Sequence, residues 1–383
     1  MDRRLDILIL SASVGAGHTR AASALEAAIR ATHKPHSVEH LDTLVYATKF
    51  LRSIYKKGYS YAARRLPAVT ASLYRALDQP RGDASLSLAF DRLNTRAFAT
   101  MLQKRKPDLV ICTHFLPAQI ISSLIQSRQL AISYSVVVTD FDVHAIWVTR
   151  HCDRYFVATD EARVHLQALG IAAARVSVTG IPIDPVFSAV KHKRDMRRKY
   201  GLDEDQPAIL VSSGRFDLNV IEQIAKSLTA LHREAQAVLL LGPREERRTL
   251  MERFCSRLET HRVNFKFVGR VEHMDELMAA CDLIVGRPGG LITAEALASG
   301  LLFVILNPIP GQEERNADYL LEQNAAIRCH DVSVLSYKIE SLLSDIARME
   351  TMKRNVARIA RPRAAFDIVE TLLDSQSTHG FCH

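Results

Sequence analysis

The sequence predicts two Rossmann-like α/β domains, residues 1–184 and 185–383, with a cleft between them. Three observations carry this reading. Short Val/Ile/Leu-rich runs alternate with longer helical patterns along the whole chain, as in parallel βαβ units. The runs are nearly continuous in apolar residues, as strands buried on both faces should be. The strand count restarts after "GIPIDPVFSAVKHKRDMRRKYG" (180–201), which opens on Pro182 and Pro185 and becomes a charged run. A chain of 383 residues, 48% hydrophobic and 24% charged, suits two soluble domains of ~100–200 residues each.

The same composition excludes other classes. No apolar run approaches the ~20 residues that span a bilayer. "LDILIL" (5–10) is too short for a secretory h-region and reads as a buried first strand. The six cysteines form no C-x-x-C pair, which predicts a reduced, cytosolic protein.

The strands predicted in the first half are 5–10, 108–113, 132–139, 154–158 and 175–179, with helices over 19–31 and 88–105. The first strand runs into "SASVGAGHTR" (11–20). Ala12, Gly15, Ala16 and Gly17 let the backbone approach a ligand, and a helix N-terminus follows, which is a ready anion site. His18 stands at the helix entrance. An unperturbed imidazole, with pKa ~6.5, suits proton uptake near neutrality, so His18 reads as a general base or as a helix cap.

Charge is unevenly spread. Residues 1–185 hold 23 Lys+Arg and 15 Asp+Glu, whereas the remainder holds 27 of each, so the whole excess of +8 lies in the first half. Residues 43–77 contain no acid and seven basic residues: Lys49, Arg52, Lys56, Lys57, Arg64, Arg65 and Arg75. Six aromatic residues are interleaved with them. This pattern suits an anionic lipid surface. A solvated helix with an apolar stripe and RNA binding are the other readings, but no RNA-binding module signature is present. After the third strand comes "DFDVHAIW" (140–147). Asp140 and Asp142 form a D-x-D pair that could hold a divalent cation. His114 and His151 make no convincing metal spacing with His144, so no structural zinc is expected. Trp147 is the only tryptophan.

In the second half the predicted strands are 208–213, 237–241, 264–268, 282–286 and 302–306, with helices over 217–232, 245–260 and 291–299. The most specific segment is "CDLIVGRPGGLITAEALASGLLFVILNPIPGQEERNADYLLEQNAA" (281–326). A strand leads into Gly286-Arg287-Pro288-Gly289-Gly290, and the N–H groups from Gly290 to Thr293 open a helix whose positive end would face phosphate. Glu295, one turn in, is placed to accept from ribose hydroxyls. Gln312, Glu313 and Asn316 offer a dense donor and acceptor set that suits a sugar.

These residues carry a resemblance. With "LILSASVGAGH" (8–18), "KPDLVICTHF" (106–115), "VVTDFDVHAIWV" (137–148), "DRYFVATDEAR" (153–163), "VTGIPIDPVF" (178–187) and "IPGQEERNADYL" (309–320), the chain resembles glycosyltransferase family 28. More closely, it is similar to the monogalactosyldiacylglycerol synthases and bacterial processive diacylglycerol glycosyltransferases. The resemblance covers nearly the whole chain. It implies a GT-B fold, an acceptor and membrane domain at 1–184, and a UDP-sugar domain at 185–383 whose last helix packs back on the first. By position it implies that Gly289, Gly290, Leu291, Ile292 and Thr293 bind the diphosphate and Glu295 the ribose. Gln312 and Glu313 then contact the sugar, and the backbone of Gly269, Arg270 and Val271 holds uracil. One departure stands out: relatives carry a glycine cluster where this chain has "VSSGRFDLNVIEQ" (211–223), which keeps only Gly214 for the donor site and leaves Ser212, Ser213 and Arg215 to meet diphosphate or sugar.

The resemblance also implies His18 as the base, with Gly17 giving the acceptor room. Asp140 would orient the acceptor hydroxyl or His18, and His144 and Trp147 would line the lipid entrance. No metal cofactor is expected, because helix dipole and N–H groups stand in for it. The expected reaction moves glucose or galactose from a UDP-hexose to the 3-hydroxyl of diacylglycerol with inversion. Processive relatives imply further transfers onto the first sugar. The expected setting is peripheral, on the cytoplasmic face of the cell membrane, with no nucleic-acid partner. The alternatives are a glycosyltransferase acting on another lipid, such as a polyprenyl-linked sugar, and a non-catalytic UDP-sugar-binding regulator.

Overall fold

The computed structural model describes residues 4–47, 96–213, 216–259 and 262–379, and elements are numbered over these. Strands β1 (Asp6–Ser11), β2 (Ser37–Asp42), β3 (Leu109–Cys112), β4 (Tyr134–Val137), β5 (Arg154–Val157) and β6 (Val176–Val178) form one sheet. Its order is β2-β1-β3-β4-β5-β6 and every pairing is parallel. Strands β7 (Ala208–Ser212), β8 (Ala235–Leu240), β9 (Val263–Val268), β10 (Leu283–Gly286), β11 (Leu302–Leu306) and β12 (Ala326–Cys329) form a second, in the order β12-β11-β10-β7-β8-β9. It too is parallel throughout.

Helices α1 (Ala16–Ala31), α2 (Arg96–Arg105), α3 (Phe115–Gln126) and α4 (Asp160–Ala168) accompany the first sheet. Helices α5 (Lys193–Lys199), α6 (Leu218–Leu228), α7 (Glu245–Cys255), α8 (Met274–Ala280), α9 (Gly290–Ala298), α10 (Gln312–Glu322), α11 (Leu335–Ser344) and α12 (Ile346–Ile359) belong to the second half, and α13 (Ala364–His379) ends the described chain.

The continuous apolar strands have the predicted cause. In β1, Ile7 and Ile9 pack with Ala22, Leu25 and Ile29 of α1, while Leu8 and Leu10 pack on the opposite face with Leu44, Phe98 and Leu116. Period-two alternation therefore feeds two cores, one on each face. Helix α13 joins the α1 face through Ile368, Val369, Leu372 and Leu373. At ~1.5–3 kcal/mol for each buried aliphatic side chain, these four contribute on the order of 6–12 kcal/mol before entropy, comparable with the stability of a whole domain. The C-terminal helix is thus an integral part of the first sheet's core.

Two strands escape the sequence pattern, β2 and β12. Both are sheet edges, pairing only with β1 and β11 respectively. The β2 sequence SVEHLD has no fully buried side chain and hence no apolar run to read. The charged run after 190 is docked rather than free. Arg197 is buried and bonds to Ala280 O at 3.1 Å and Asp282 Oδ2 at 2.6 Å, and Lys191 pairs with Asp275 at 2.7 Å.

Candidate functional site

In doubly wound sheets, the crevice forms where strand order reverses, beyond the carboxyl ends. The first sheet reverses between β1 and β3; the second reverses between β7 and β10. The loops after β1, β3 and β4 therefore converge on one side, and the turn after β10 converges on the other.

His18 sits in the first turn of α1, half-buried. Its Nδ1 lies 3.0 Å from Thr113 O and 2.9 Å from Thr139 Oγ1. A carbonyl oxygen can only accept, so Nδ1 carries a proton, and in the neutral form of the ring the basic nitrogen is Nε2. Thr113 grips the same residue a second time, its Oγ1 donating to His18 O at 2.9 Å. The His114 ring meets the His18 ring edge-on at 4.5 Å. Burial first, and then the charge of His18, hold His114 well below the ordinary histidine value. His114 Nδ1 accepts from Leu116 N at 3.0 Å, which caps α3 and fixes the ring as a neutral wall. Trp147 is buried 6.2 Å from His18, with its ring edge to Phe115.

On the facing side, Gly289 caps α9 with extended backbone and Gly290 begins the helix. A Cβ on Gly290 would stand 2.0 Å from Thr139 O and 3.1 Å from Asp140 Oδ1. Only glycine lets the helix terminus approach this closely. Thr139 therefore touches both halves of the site: its hydroxyl meets His18 and its carbonyl meets the start of α9.

Asp140 does not orient His18 through its carboxylate. Its Oδ2 accepts from Gln312 Nε2 at 2.5 Å and its Oδ1 from Asn316 Nδ2 at 3.4 Å, both on α10. Thr139 turns to the histidine and Asp140 to the other domain. Burial pushes the Asp140 carboxyl up to about 6, against the hydrogen bonds from Gln312 and Asn316. Asp142 diverges to Arg315 Nη1 at 2.6 Å, so the D-x-D carboxylates do not converge on one point. Among the described residues, no group of three or more His, Cys, Asp or Glu side chains is placed to hold a metal ion.

Helix α10 reads the 139–142 loop with one face. Gln312, Arg315, Asn316 and Tyr319 follow helical spacing. Asn316 accepts from Phe141 N at 2.9 Å and donates to Pro288 O at 3.0 Å, and Tyr319 stacks on Phe141 with centroids 5.0 Å apart. Glu313 is buried and accepts from Ile309 N at 2.8 Å, holding the polar turn in place. Glu295 is 1% exposed, and its Oε1 is paired with Arg20, which reaches across from α1. Burial pushes the Glu295 carboxyl up to about 7, with Arg20 opposing the shift.

The structure thus gathers His18, Trp147, Asp140, Gly289–Thr293, Glu295, Gln312, Glu313 and Asn316 around one crevice. Gly17 lies beside His18, and no described residue comes within 4 Å of an added Cβ. His144 is buried, and its Nδ1 accepts from Ile146 N at 3.0 Å as the cap of a short 3-10 turn. Gly269–Val271 follow β9 at the far edge of the second sheet, beyond β7 and β8 from the Gly289 turn. Gly214 and Arg215 lie outside the described residues, as do Lys49, Arg52, Lys56, Lys57, Arg64 and Arg65. Sequence reasoning missed Arg20, Thr113, His114, Thr139 and Arg315. "THF" at the end of β3 marks the position of Thr113 and His114 alone, since strand ends at a reversal point build the crevice.

Paired Rossmann-like sheets whose carboxyl-end loops meet across such a crevice define the GT-B fold. Solved structures share it: MurG of Acinetobacter baumannii at 15% identity and TM-score 0.63, covering 97% of this chain and 99% of that one. Alr3699/HepE of Anabaena, solved in complex with UDP-glucose, matches at 14% identity and TM-score 0.55 over 98% and 100% of the two chains. The family model described as monogalactosyldiacylglycerol (MGDG) synthase matches residues 18–183, and one described as UDP-N-acetylglucosamine 2-epimerase matches 143–373. The processive diacylglycerol β-glucosyltransferase of Bacillus mycoides is 31% identical, covering 96% of this chain and 93% of its own. The chain belongs to glycosyltransferase family 28, in the group of the diacylglycerol glycosyltransferases.

Proposed function

We propose that the protein transfers glucose or galactose from a UDP-sugar to the 3-hydroxyl of diacylglycerol, with inversion and without a metal ion. The observation that carries this reading is the meeting at Thr139 of a tautomer-fixed histidine and a helix N-terminus. His18 Nε2 takes the proton of the acceptor hydroxyl. The hydroxyl oxygen attacks the anomeric carbon as the bond from that carbon to the diphosphate oxygen breaks. The departing UDP carries negative charge onto the N–H groups of α9, where the helix dipole places about half a positive charge. Glu295 receives the ribose hydroxyls, and Gln312, Glu313 and Asn316 flank the sugar. Gly269–Val271 hold uracil, with Gly214 and Arg215 near the sugar or diphosphate.

The relatives' names support diacylglycerol as acceptor and glucose as one donor sugar. Addition of diacylglycerol to protein and UDP-glucose is expected to release UDP, and UDP-N-acetylglucosamine is expected to give neither UDP nor an epimer. The epimerase model favours a second reading, but it begins at residue 143 and leaves out His18, Thr113 and Thr139. UDP-N-acetylglucosamine epimerisation without diacylglycerol-dependent UDP release would establish that reading instead.

No described helix is long and apolar enough to cross a membrane. We assign attachment to the basic, aromatic stretch 43–77, with the enzyme held peripherally on the cytoplasmic face and His144 and Trp147 toward the lipid entrance. Glutamates at Lys56, Lys57, Arg64 and Arg65 together are expected to weaken sedimentation with anionic vesicles by at least tenfold, at about 1 kcal/mol for each lost cation near the surface. Unchanged sedimentation would remove this assignment.

Donor affinity should depend on pH. Ribose hydroxyls donate to ionised Glu295, whose folded pKa is raised to about 7, so the competent form predominates above that value. Affinity for UDP-glucose, a diphosphate diester without a proton of its own to titrate here, is expected to be flat above pH 8. Below pH 7 it should fall toward a plateau about tenfold lower, the worth of the charge-assisted contact that is lost. Calorimetry between pH 5.5 and 8.5 checks this.

A further inference from the structure

We propose that Arg20, on the acceptor-domain helix α1, is a positioning residue for the donor's ribose site: it holds Glu295 as a carboxylate oriented to accept from the ribose hydroxyls. This rests on the reading of α9 as the UDP-sugar site.

Glu295 is almost wholly buried, and an ionised carboxylate without a counter-charge is unfavourable in such a place. Its Oε1 is matched by the Arg20 guanidinium, which comes from the other sheet's first helix. Its Oε2 is equally buried and meets no hydrogen-bond donor among the described residues. One oxygen is therefore neutralised from across the cleft while the other is left as an acceptor, which is the arrangement a vicinal diol completes. Arg20 also lies two residues beyond His18 on the same helix. The ion pair thus ties the base-bearing helix to the helix that receives the nucleotide. A strut that only held the domains together would sit equally well on any pair of exposed residues. Here the partner is a buried acid with a second, unmatched oxygen, and its geometry depends on a residue of the opposite domain.

The test compares UDP with 2′,3′-dideoxy-UDP, which lacks both ribose hydroxyls, by calorimetry on the full chain. The wild type is expected to bind UDP at least about tenfold more tightly, the worth of one charge-assisted hydrogen bond. Arg20→Gln is expected to reduce that ratio below about threefold, chiefly by weakening UDP. Arg20→Met, which keeps the aliphatic stem, is the second neutral variant and is expected to behave alike. A folded variant that keeps the wild-type ratio, whatever its turnover, overturns the proposal, because a mere strut has no means of sensing ribose hydroxyls. A wild type that binds neither nucleotide overturns the UDP-sugar reading itself, which separates the two failures.

Discussion

His18→Ala is expected to lower turnover by ~10²–10⁴-fold, the range that a positioned general base supplies, while UDP affinity stays within about twofold. The split follows from where the residue stands. His18 belongs to α1 and its Nδ1 is held by Thr113 and Thr139, all in the first sheet's domain. The nucleotide is assigned to α9 and its neighbours in the second. Removal of the imidazole takes the proton acceptor away and leaves the donor's hydrogen-bond set as it was. Steady-state transfer to diacylglycerol and calorimetry with UDP read the two parts separately. Near-normal turnover with normal UDP affinity would sink the assignment of the base.

Gly290→Ala carries the second large effect. The added methyl would lie 2.0 Å from Thr139 O, closer than any non-bonded carbon and oxygen can approach. The neighbour is a backbone carbonyl of a buried loop residue and cannot swing aside as a side-chain tip can. Either α9 withdraws or the 139–142 loop shifts, and both separate His18 from the helix terminus. Misplacement by about 1 Å costs ~10²-fold in such reactions, so kcat/KM is expected to fall at least that far. The second sheet itself should persist, because the clash lies between domains and not in its core. A variant with wild-type kcat/KM would show that the close approach of α9 to Thr139 plays no part in turnover.

Much of this fold could be read before the structure because its strands are buried on both faces, which writes them as unbroken Val/Ile/Leu runs. Edge strands β2 and β12 lack that signature. The site was legible in the same uneven way. His18 announced itself by ending a glycine turn, and Gly289–Thr293 by the strand-turn-helix pattern around them. Thr113 and Thr139 gave no local sign of their contact with His18, from which they are separated by 95 and 121 positions. Only the neighbouring of β1, β3 and β4 in the sheet brings the three together. Asp140 and Asp142 look like a carboxylate pair in one dimension. In three, α10 separates them, drawing one to Gln312 and Asn316 and the other to Arg315. Arg20 was invisible for a similar reason, since its partner Glu295 lies in the opposite domain.

Lipid extraction and mass spectrometry after incubation of the protein with diacylglycerol and either UDP-glucose or UDP-galactose tests the central claim most directly. The account predicts hexosyl-diacylglycerol with a β-linkage at the 3-hydroxyl from at least one donor, formed in step with UDP. Diacylglycerol recovered unglycosylated with both donors, while the protein binds UDP normally, would contradict it.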